Sequence, residues 1–258
     1  MGNTLFALTN HAQTATITNG GGGAPAREET APYVMENALT ADRMQFWQSA
    51  AVPTSPFYFD IDMGSAKTVT LAAVLGFRAA TVATVTTVEV FSSTSAAYPR
   101  TWTSRGTFSL TASPRDAGTT FASVSARYWR FALTNTAAFT IGRLFLANAT
   151  DTGRVGLPGG GLSPYRTRNE QPLIGGGVLI EDIGDPGAEF TFSLGPGDAT
   201  AKGYFDAISG AAGSFVYVTP EGGFYEVYAP GGRTQQARTF YAGGSGLYDL
   251  AVQLVRLP

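Results

Sequence analysis

Apolar and polar residues alternate along parts of the first half of the chain, a pattern that predicts β-strands with one buried face. Residues 86–91 show this alternation. Residues 127–133 show it more strongly, because their Trp, Phe and Leu side chains fall on one face and Tyr128 and Arg130 on the other. Both stretches are therefore predicted to be half-buried strands of an antiparallel sheet.

Three further runs of apolar and β-prone residues predict strands in the same half of the chain. Residues 57–63 form one predicted strand that ends at Gly64, residues 69–77 form a second, and residues 141–146 form a last one. Turn signals fall between these runs at intervals typical of a β-sandwich.

The last third of the chain has a different pattern. Residues 189–194 predict a strand, and the Gly-Pro-Gly-Asp sequence at 195–198 predicts a turn whose Asp198 can cap a helix. A helix is predicted near 199–209, ending at Gly210, because four apolar side chains share one helical face. These four are Ala201, Tyr204, Phe205 and Ile208.

Antiparallel strands are predicted after this helix. Residues 215–219 and 224–228 are two strands around the turn at 220–223, and residues 247–257 alternate as a closing strand. Together, the patterns predict an all-β protein: a β-sandwich followed by a smaller β-barrel or sandwich domain with one short helix.

Glycine-rich stretches suggest where the domains begin and end. The run of four glycines at 20–23 is typical of a hinge, and the Gly- and Pro-containing stretch at 151–164 has little to bury and is typical of a linker. The predicted organisation is an N-terminal arm and hinge at 1–32, a β-sandwich at 33–150, a linker at 151–164 and a barrel-like assembly domain at 165–258.

Composition narrows the classes of function. Charged residues make up 14% of the 258 residues, against about 25% in a typical protein. A surface so poor in charge fits either burial against other subunits or display of a Thr/Ser-rich exterior. The net charge of −2 offers no basic field for nucleic acid, and the absence of cysteine excludes disulfides and thiolate metal sites. We expect no signal peptide, no membrane span and no cofactor.

Candidate catalytic groups are few. The one histidine, His11, lies in the N-terminal arm and is expected to be solvated or at an interface rather than a catalytic base. Histidine-based zinc sites need two or three histidines and are excluded. Asp60 and Asp62 share one face of a strand and could bind calcium or share a proton. We favour an interpretation in which Asp62 accepts hydrogen bonds from backbone amides before Gly64. The acidic residues between 181 and 185 are interpreted as a solvated loop, because Asp-Pro-Gly follows at 185–187.

Two aromatic residues in a polar loop are the candidate contact residues. Tyr98 and Trp102 flank Pro99, and exposed aromatic rings are costly unless something covers them. Trp102 either closes over its own sandwich end or, with Tyr98, contacts a sugar or another subunit.

The middle of the chain, about 33–148, resembles the discoidin or coagulation factor 5/8 C-type domain, which has a galactose-binding-like jelly roll. The resemblance implies a β-sandwich that binds sugars, lipids or proteins through loops at one end, and it transfers no binding residue. The family's usual cysteines are absent here. The motifs that carry it, in the order expected, are 41–49, 57–64, 69–77, 88–93, 126–131 and 141–146.

The C-terminal part is similar in architecture to the ring-forming β-barrel of bacteriophage distal-tail and tail-hub proteins. The two resemblances together imply a structural component of a phage tail tip, located in the virion and assembled in the host cytoplasm. Its expected partners are further copies of itself in a ring, other tail proteins (tube, hub and tape measure) and a host-surface glycan. The alternatives are a free-standing carbohydrate-binding module and, less favoured, a glycosidase that uses carboxylates such as Asp62.

Overall fold

The computed structural model contains two compact units. We call residues 7–150 with 223–225 the sandwich unit, and residues 1–6, 151–222 and 226–258 the second unit. The described residues are 3–18, 31–41, 45–49, 56–79, 86–97, 99–111, 115–134, 137–152, 163–172, 178–197, 203–204, 206–208, 210–211, 213–228, 235–240 and 246–256.

The main sheet of the sandwich unit has six antiparallel strands. Its strands are β2 (Thr16–Thr18), β4 (Phe57–Leu75), β6 (Thr86–Ser93), β7 (Thr103–Leu110), β8 (Ala117–Thr134) and β10 (Arg143–Ala147). They lie in the order β10-β4-β8-β6-β7, and β2 also pairs with β4. The long strands β4 and β8 form the centre of the sheet, so their side chains set the character of both faces.

A smaller sheet completes the sandwich. It contains β3 (Trp47–Gln48), β5 (Arg78–Ala79) and β9 (Phe139–Ile141), in the order β3-β9-β5. The apolar side chains of the two sheets form one core, in which Trp47 packs against Phe57, Phe59 and Phe139 at ring-centroid distances of 5.0–5.1 Å. Two 3-10 helices, His11–Thr14 and Met35–Leu39, also contribute residues to this core.

The second unit contains most of an eight-stranded sheet. Its strands lie in the order β11-β1-β14-β15-β17-β13-β12, with β16 also paired to β17. Phe6 on β1 stacks on Tyr217 at 5.4 Å and packs against Phe215 at 6.2 Å. The strands are β1 (Leu5–Ala7), β11 (Thr150–Asp151), β12 (Ser163–Pro172), β13 (Val178–Gly197), β14 (Phe215–Val218), β15 (Phe224–Tyr228), β16 (Gln235–Phe240) and β17 (Gly246–Arg256).

The predicted all-β fold class is confirmed, since almost all regular structure in the described residues is strand, arranged in sheets. Helical residues lie at 203–204 and 206–208, and the amide of Gly210 donates to the carbonyl of Asp206 at 2.9 Å.

No helix in the described part of the chain is long and apolar enough to cross a membrane. The exact domain boundaries stay predictions.

Three local predictions were wrong, each because a turn signal lies inside a strand. Gly64 does not end a strand: with φ of +72° it lies in a bulge, and β4 continues through it. Residues 195–197 belong to β13 rather than to a turn. Residues 181–187, expected in a loop, are also part of β13 and pair with β12 across a register shift.

The hairpin prediction was correct. Strands β14 and β15 flank a turn in which the amide of Gly222 donates to the carbonyl of Thr219 at 2.9 Å. Gly222 has φ of +87°, a conformation that glycine adopts without the strain of a Cβ atom. The predicted closing strand is also present, as β17.

Candidate functional site

The outer face of the main sheet carries polar and aromatic side chains on its central strands. Phe57, Phe59 and Ile61 on β4 are buried in the core, so the residues between them lie on the opposite face. Tyr58 is paired with Ala132, Asp60 with Arg130, and Asp62 with Tyr128. The alternation predicted for 127–133 is therefore confirmed, and it places Arg130 on this outer face.

Arg130 and Asp60 form a bidentate ion pair across β4 and β8. The Nε and Nη2 atoms of Arg130 donate to the two carboxylate oxygens of Asp60 at 2.5 and 2.7 Å. The carboxylate is almost completely buried, and the guanidinium is largely buried. Such a fork-to-fork pair fixes the direction of the arginine side chain as well as neutralising it.

Asp62 forms a second, more exposed pair. It accepts hydrogen bonds from Arg127 at 2.7 and 2.8 Å and from the amide of Gly64 at 2.8 Å. The hydrogen bonds from Arg127 lower the pKa of Asp62 below its ordinary value, despite an opposing effect of burial. The interpretation that Asp62 satisfies a backbone amide before Gly64 is confirmed.

The calcium interpretation of Asp60 and Asp62 fits this geometry poorly. Each carboxylate is already neutralised by its own arginine, whereas calcium requires six to eight oxygen ligands. Within the described ranges, no group of three or more candidate metal ligands is found.

Trp102 lies immediately before β7 and is half-buried. Its ring centroid is 4.4 Å from the guanidinium carbon of Arg130, and the ring of Tyr58 is at the same distance from that carbon. Cation–π contacts of this kind hold the two rings against a fixed charge. Trp102 therefore packs on the sheet face rather than on the core of the sandwich.

These side chains border a trough with a volume of about 310 Å³, at the lower end of the range of small-molecule sites. Three aromatic rings line it, those of Tyr58, Phe91 and Trp102. The remaining lining residues that can hydrogen-bond through their side chains are Thr87, Glu89, Arg130 and Thr134.

Glu89 is the acidic residue of the trough. It lies on β6, half-buried, and one carboxylate oxygen accepts a hydrogen bond from Ser104 Oγ at 2.7 Å. Sequence reasoning did not single out Glu89 or Phe91. The signal was available, because both alternate with the buried Val88 and Val90 and must share the outer face.

The other sequence candidates lie elsewhere. Tyr98 lies outside the described residues, as do residues 42–44 of the first discoidin-like motif. His11 lies in the first 3-10 helix and is half-buried rather than solvated. Burial, with a smaller contribution from the charge of Lys67, lowers the pKa of His11. Neither His11 nor Asp62 lines the trough.

Comparison with known proteins gave matches among solved structures alone. No family model matches the chain, and no curated protein matches it. A module called CBM32-1, from a family 31 glycoside hydrolase of Clostridium perfringens, is 15% identical with a TM-score of 0.44, and the match covers 55% of this chain and 99% of the module.

Two further structures illustrate the range of the matches. A chitosan-binding module from a chitosanase/glucanase of Paenibacillus sp. IK-5 is 19% identical with a TM-score of 0.41, over 54% of this chain and 99% of that one. SpGH29 is 16% identical with a TM-score of 0.43, over 55% of this chain. This last match spans 28% of the length of SpGH29.

Proposed function

We propose that the sandwich unit is a carbohydrate-binding module whose ligand lies in the trough on the outer face of the main sheet. The observation that carries this proposal is the position of Trp102. Its half-buried ring lines an open trough and is held there by Arg130. This is the alternative function that the sequence suggested, with the binding site moved from a loop end to the sheet face.

The chemistry of the trough suits a sugar. A pyranose has an apolar face of C–H groups, which packs on an aromatic ring, and a rim of hydroxyl groups, which need hydrogen-bond partners. Trp102 and Tyr58 offer rings, while Glu89, Thr87 and Thr134 offer acceptors and donors. Small-molecule sites commonly have this composition, in which aromatic side chains provide contact area and a few polar groups fix the orientation of the ligand.

The trough is also preorganised. Asp60 fixes Arg130, and Arg130 in turn holds the rings of Trp102 and Tyr58. Side chains that are already ordered lose little conformational entropy when a ligand binds, which increases affinity for the same contacts.

Binding is better supported than hydrolysis. A carboxylate-based glycosidase needs two carboxyl groups on either side of the scissile bond. Asp60 and Asp62 are each committed to an arginine, and Glu89 is the acidic side chain that lines the trough.

The test is affinity electrophoresis and titration calorimetry with a panel of neutral, amino and acidic oligosaccharides. We expect at least one class to bind, and Trp102→Ala to weaken that binding at least tenfold, equal to about 1.4 kcal/mol. Tyr228→Ala is the matched control, because Tyr228 is an exposed aromatic residue of the second unit, outside the trough. A panel without a ligand, or equal effects of the two substitutions, would reject the proposal.

The role in a phage tail tip stays a prediction, as do the virion location and the tail-protein partners. Mass photometry of the purified chain tests it, because a ring protein must form a closed oligomer of defined size.

A further inference from the structure

We propose that the ligand of the trough carries a positively charged amino group, and that Glu89 binds it. The sugar class would then be an oligosaccharide of hexosamines with free amines. This inference rests on the proposed carbohydrate-binding function and adds the charge of the ligand to it.

The first argument is the charge balance of the trough. Two ionised side chains line it, Arg130 and Glu89. Arg130 is neutralised by its bidentate pair with Asp60. The ion pairs of this face join Arg130 to Asp60 and Arg127 to Asp62, and Glu89 forms no ion pair with a described residue. Among the described residues that line it, the trough therefore keeps one negative charge without an ion pair.

The second argument is the direction in which Glu89 is held. Ser104 Oγ donates to Oε1 of Glu89 at 2.7 Å, which fixes the carboxylate on the wall of the trough. No described residue donates to the second carboxylate oxygen, Oε2, so this atom is an acceptor for a ligand. A hydrogen bond from an ammonium group to a carboxylate is stronger than one from a neutral hydroxyl.

The third argument is the aromatic lining. The faces of aromatic rings carry negative potential and attract cations. Tyr58 and Trp102 already hold the guanidinium of Arg130 in this way. An ammonium group beside Glu89 would be attracted by the carboxylate, whereas an acidic sugar would be repelled by it.

The test compares two ligands that differ in charge but share a backbone, the trimer of glucosamine and the trimer of N-acetylglucosamine. Titration calorimetry on the full chain at about pH 6 keeps the amines of the ligand protonated. We expect the glucosamine trimer to bind at least about tenfold more tightly, and added salt to reduce that preference.

Glu89→Gln is the diagnostic variant, because the amide oxygen can still accept the hydrogen bond from Ser104 while the charge is removed. We expect it to bring the two affinities within about threefold of each other. Glu221→Gln, in the exposed turn of the second unit, controls for the change in net charge and should preserve the preference.

The outcomes separate the two proposals. If wild-type protein binds both trimers equally, or Glu89→Gln keeps the preference, the charge inference is wrong. If neutral sugars bind through Trp102 and the glucosamine trimer does not, the charge inference is wrong and the carbohydrate-binding function stands. If no sugar binds, both proposals are rejected.

Discussion

Arg130 binds Asp60 through two parallel hydrogen bonds, of 2.5 and 2.7 Å, although the two residues are 70 positions apart in the sequence. The pair lies on the centre of the main sheet, where β4 and β8 are in register. The pair matters for the proposed function as well as for the fold, because the guanidinium of Arg130 also forms cation–π contacts with the rings of Tyr58 and Trp102.

Removing the charge of Asp60 should destabilise the protein strongly. Asp60→Asn leaves Arg130 without its counter-ion in a largely buried place, and breaking a buried pair costs about 3–5 kcal/mol. Urea unfolding followed by circular dichroism measures this cost. Asp62→Asn, two residues along the same strand, is the matched control and should cost about 1 kcal/mol or less because its arginine is exposed. Equal costs would show that burial of the Asp60 pair does not matter.

The strands could be predicted from sequence where the alternation was regular. Residues 127–133 are the best example, since their buried and outer faces are both as expected. The continuation of β4 through Gly64 could not be predicted, because a glycine with positive φ serves equally in a turn or in a bulge. Which of the two forms depends on pairing with β8, more than 50 residues away in sequence.

The candidate site was predicted only in part. Trp102 was singled out as an aromatic residue in a polar loop, but its partner Arg130 was known only as a residue on an outer face. Ion pairs between distant strands depend on register, which a single sequence does not reveal. Asp60 and Asp62 were therefore grouped with each other, whereas the structure pairs each of them with an arginine.

Asp62 should contribute to the pH dependence of the free energy of unfolding in the acidic range. Its pKa in the folded protein is lowered, chiefly by the hydrogen bonds from Arg127, from an ordinary value of 3.8. The stabilisation is therefore complete above the unfolded-state pKa and is lost as the pH falls through the lower folded-state pKa. We expect the free energy of unfolding of Asp62→Asn to depend less on pH below about 4 than that of the wild type. Parallel profiles in this window would contradict the assignment.

His11 should titrate below the ordinary histidine pKa of 6.5, chiefly because burial disfavours its charged form. The neutral form is favoured on folding, so stability decreases as the pH falls from 6.5 towards the folded-state pKa. His11 is the one histidine of the chain, so its ring protons can be followed by NMR without assignment. Lys67→Gln should raise the midpoint only slightly, because the charge of Lys67 is the smaller cause. A midpoint at or above 6.5 would refute this expectation.

Asn10, which caps the N-terminus of the first 3-10 helix, should be important for stability. Its side-chain oxygen accepts from the amides of Ala12 and Leu146, both at 3.0 Å, and its amide donates to the carbonyl of Leu144 at 2.9 Å. Asn10→Ala would leave these buried groups unpaired, at a cost of about 2 kcal/mol or more.

Hydrogen exchange gives a local reading of the same change. The amide of Leu146 should lose protection in Asn10→Ala, whereas Asn10→Asp keeps the acceptor oxygen and should retain part of it. Unchanged protection of Leu146 in the alanine variant would show that Asn10 does not hold β10 in place.

The indole N–H signals of the three tryptophans test the central claim most directly. Trp47 and Trp129 are fully buried in the core, whereas Trp102 lines the trough, so two of the signals are internal controls. In a ¹H–¹⁵N NMR titration with a binding oligosaccharide, the Trp102 signal should shift saturably while the other two stay in place. A sugar that binds saturably without moving the Trp102 signal would contradict the proposed site.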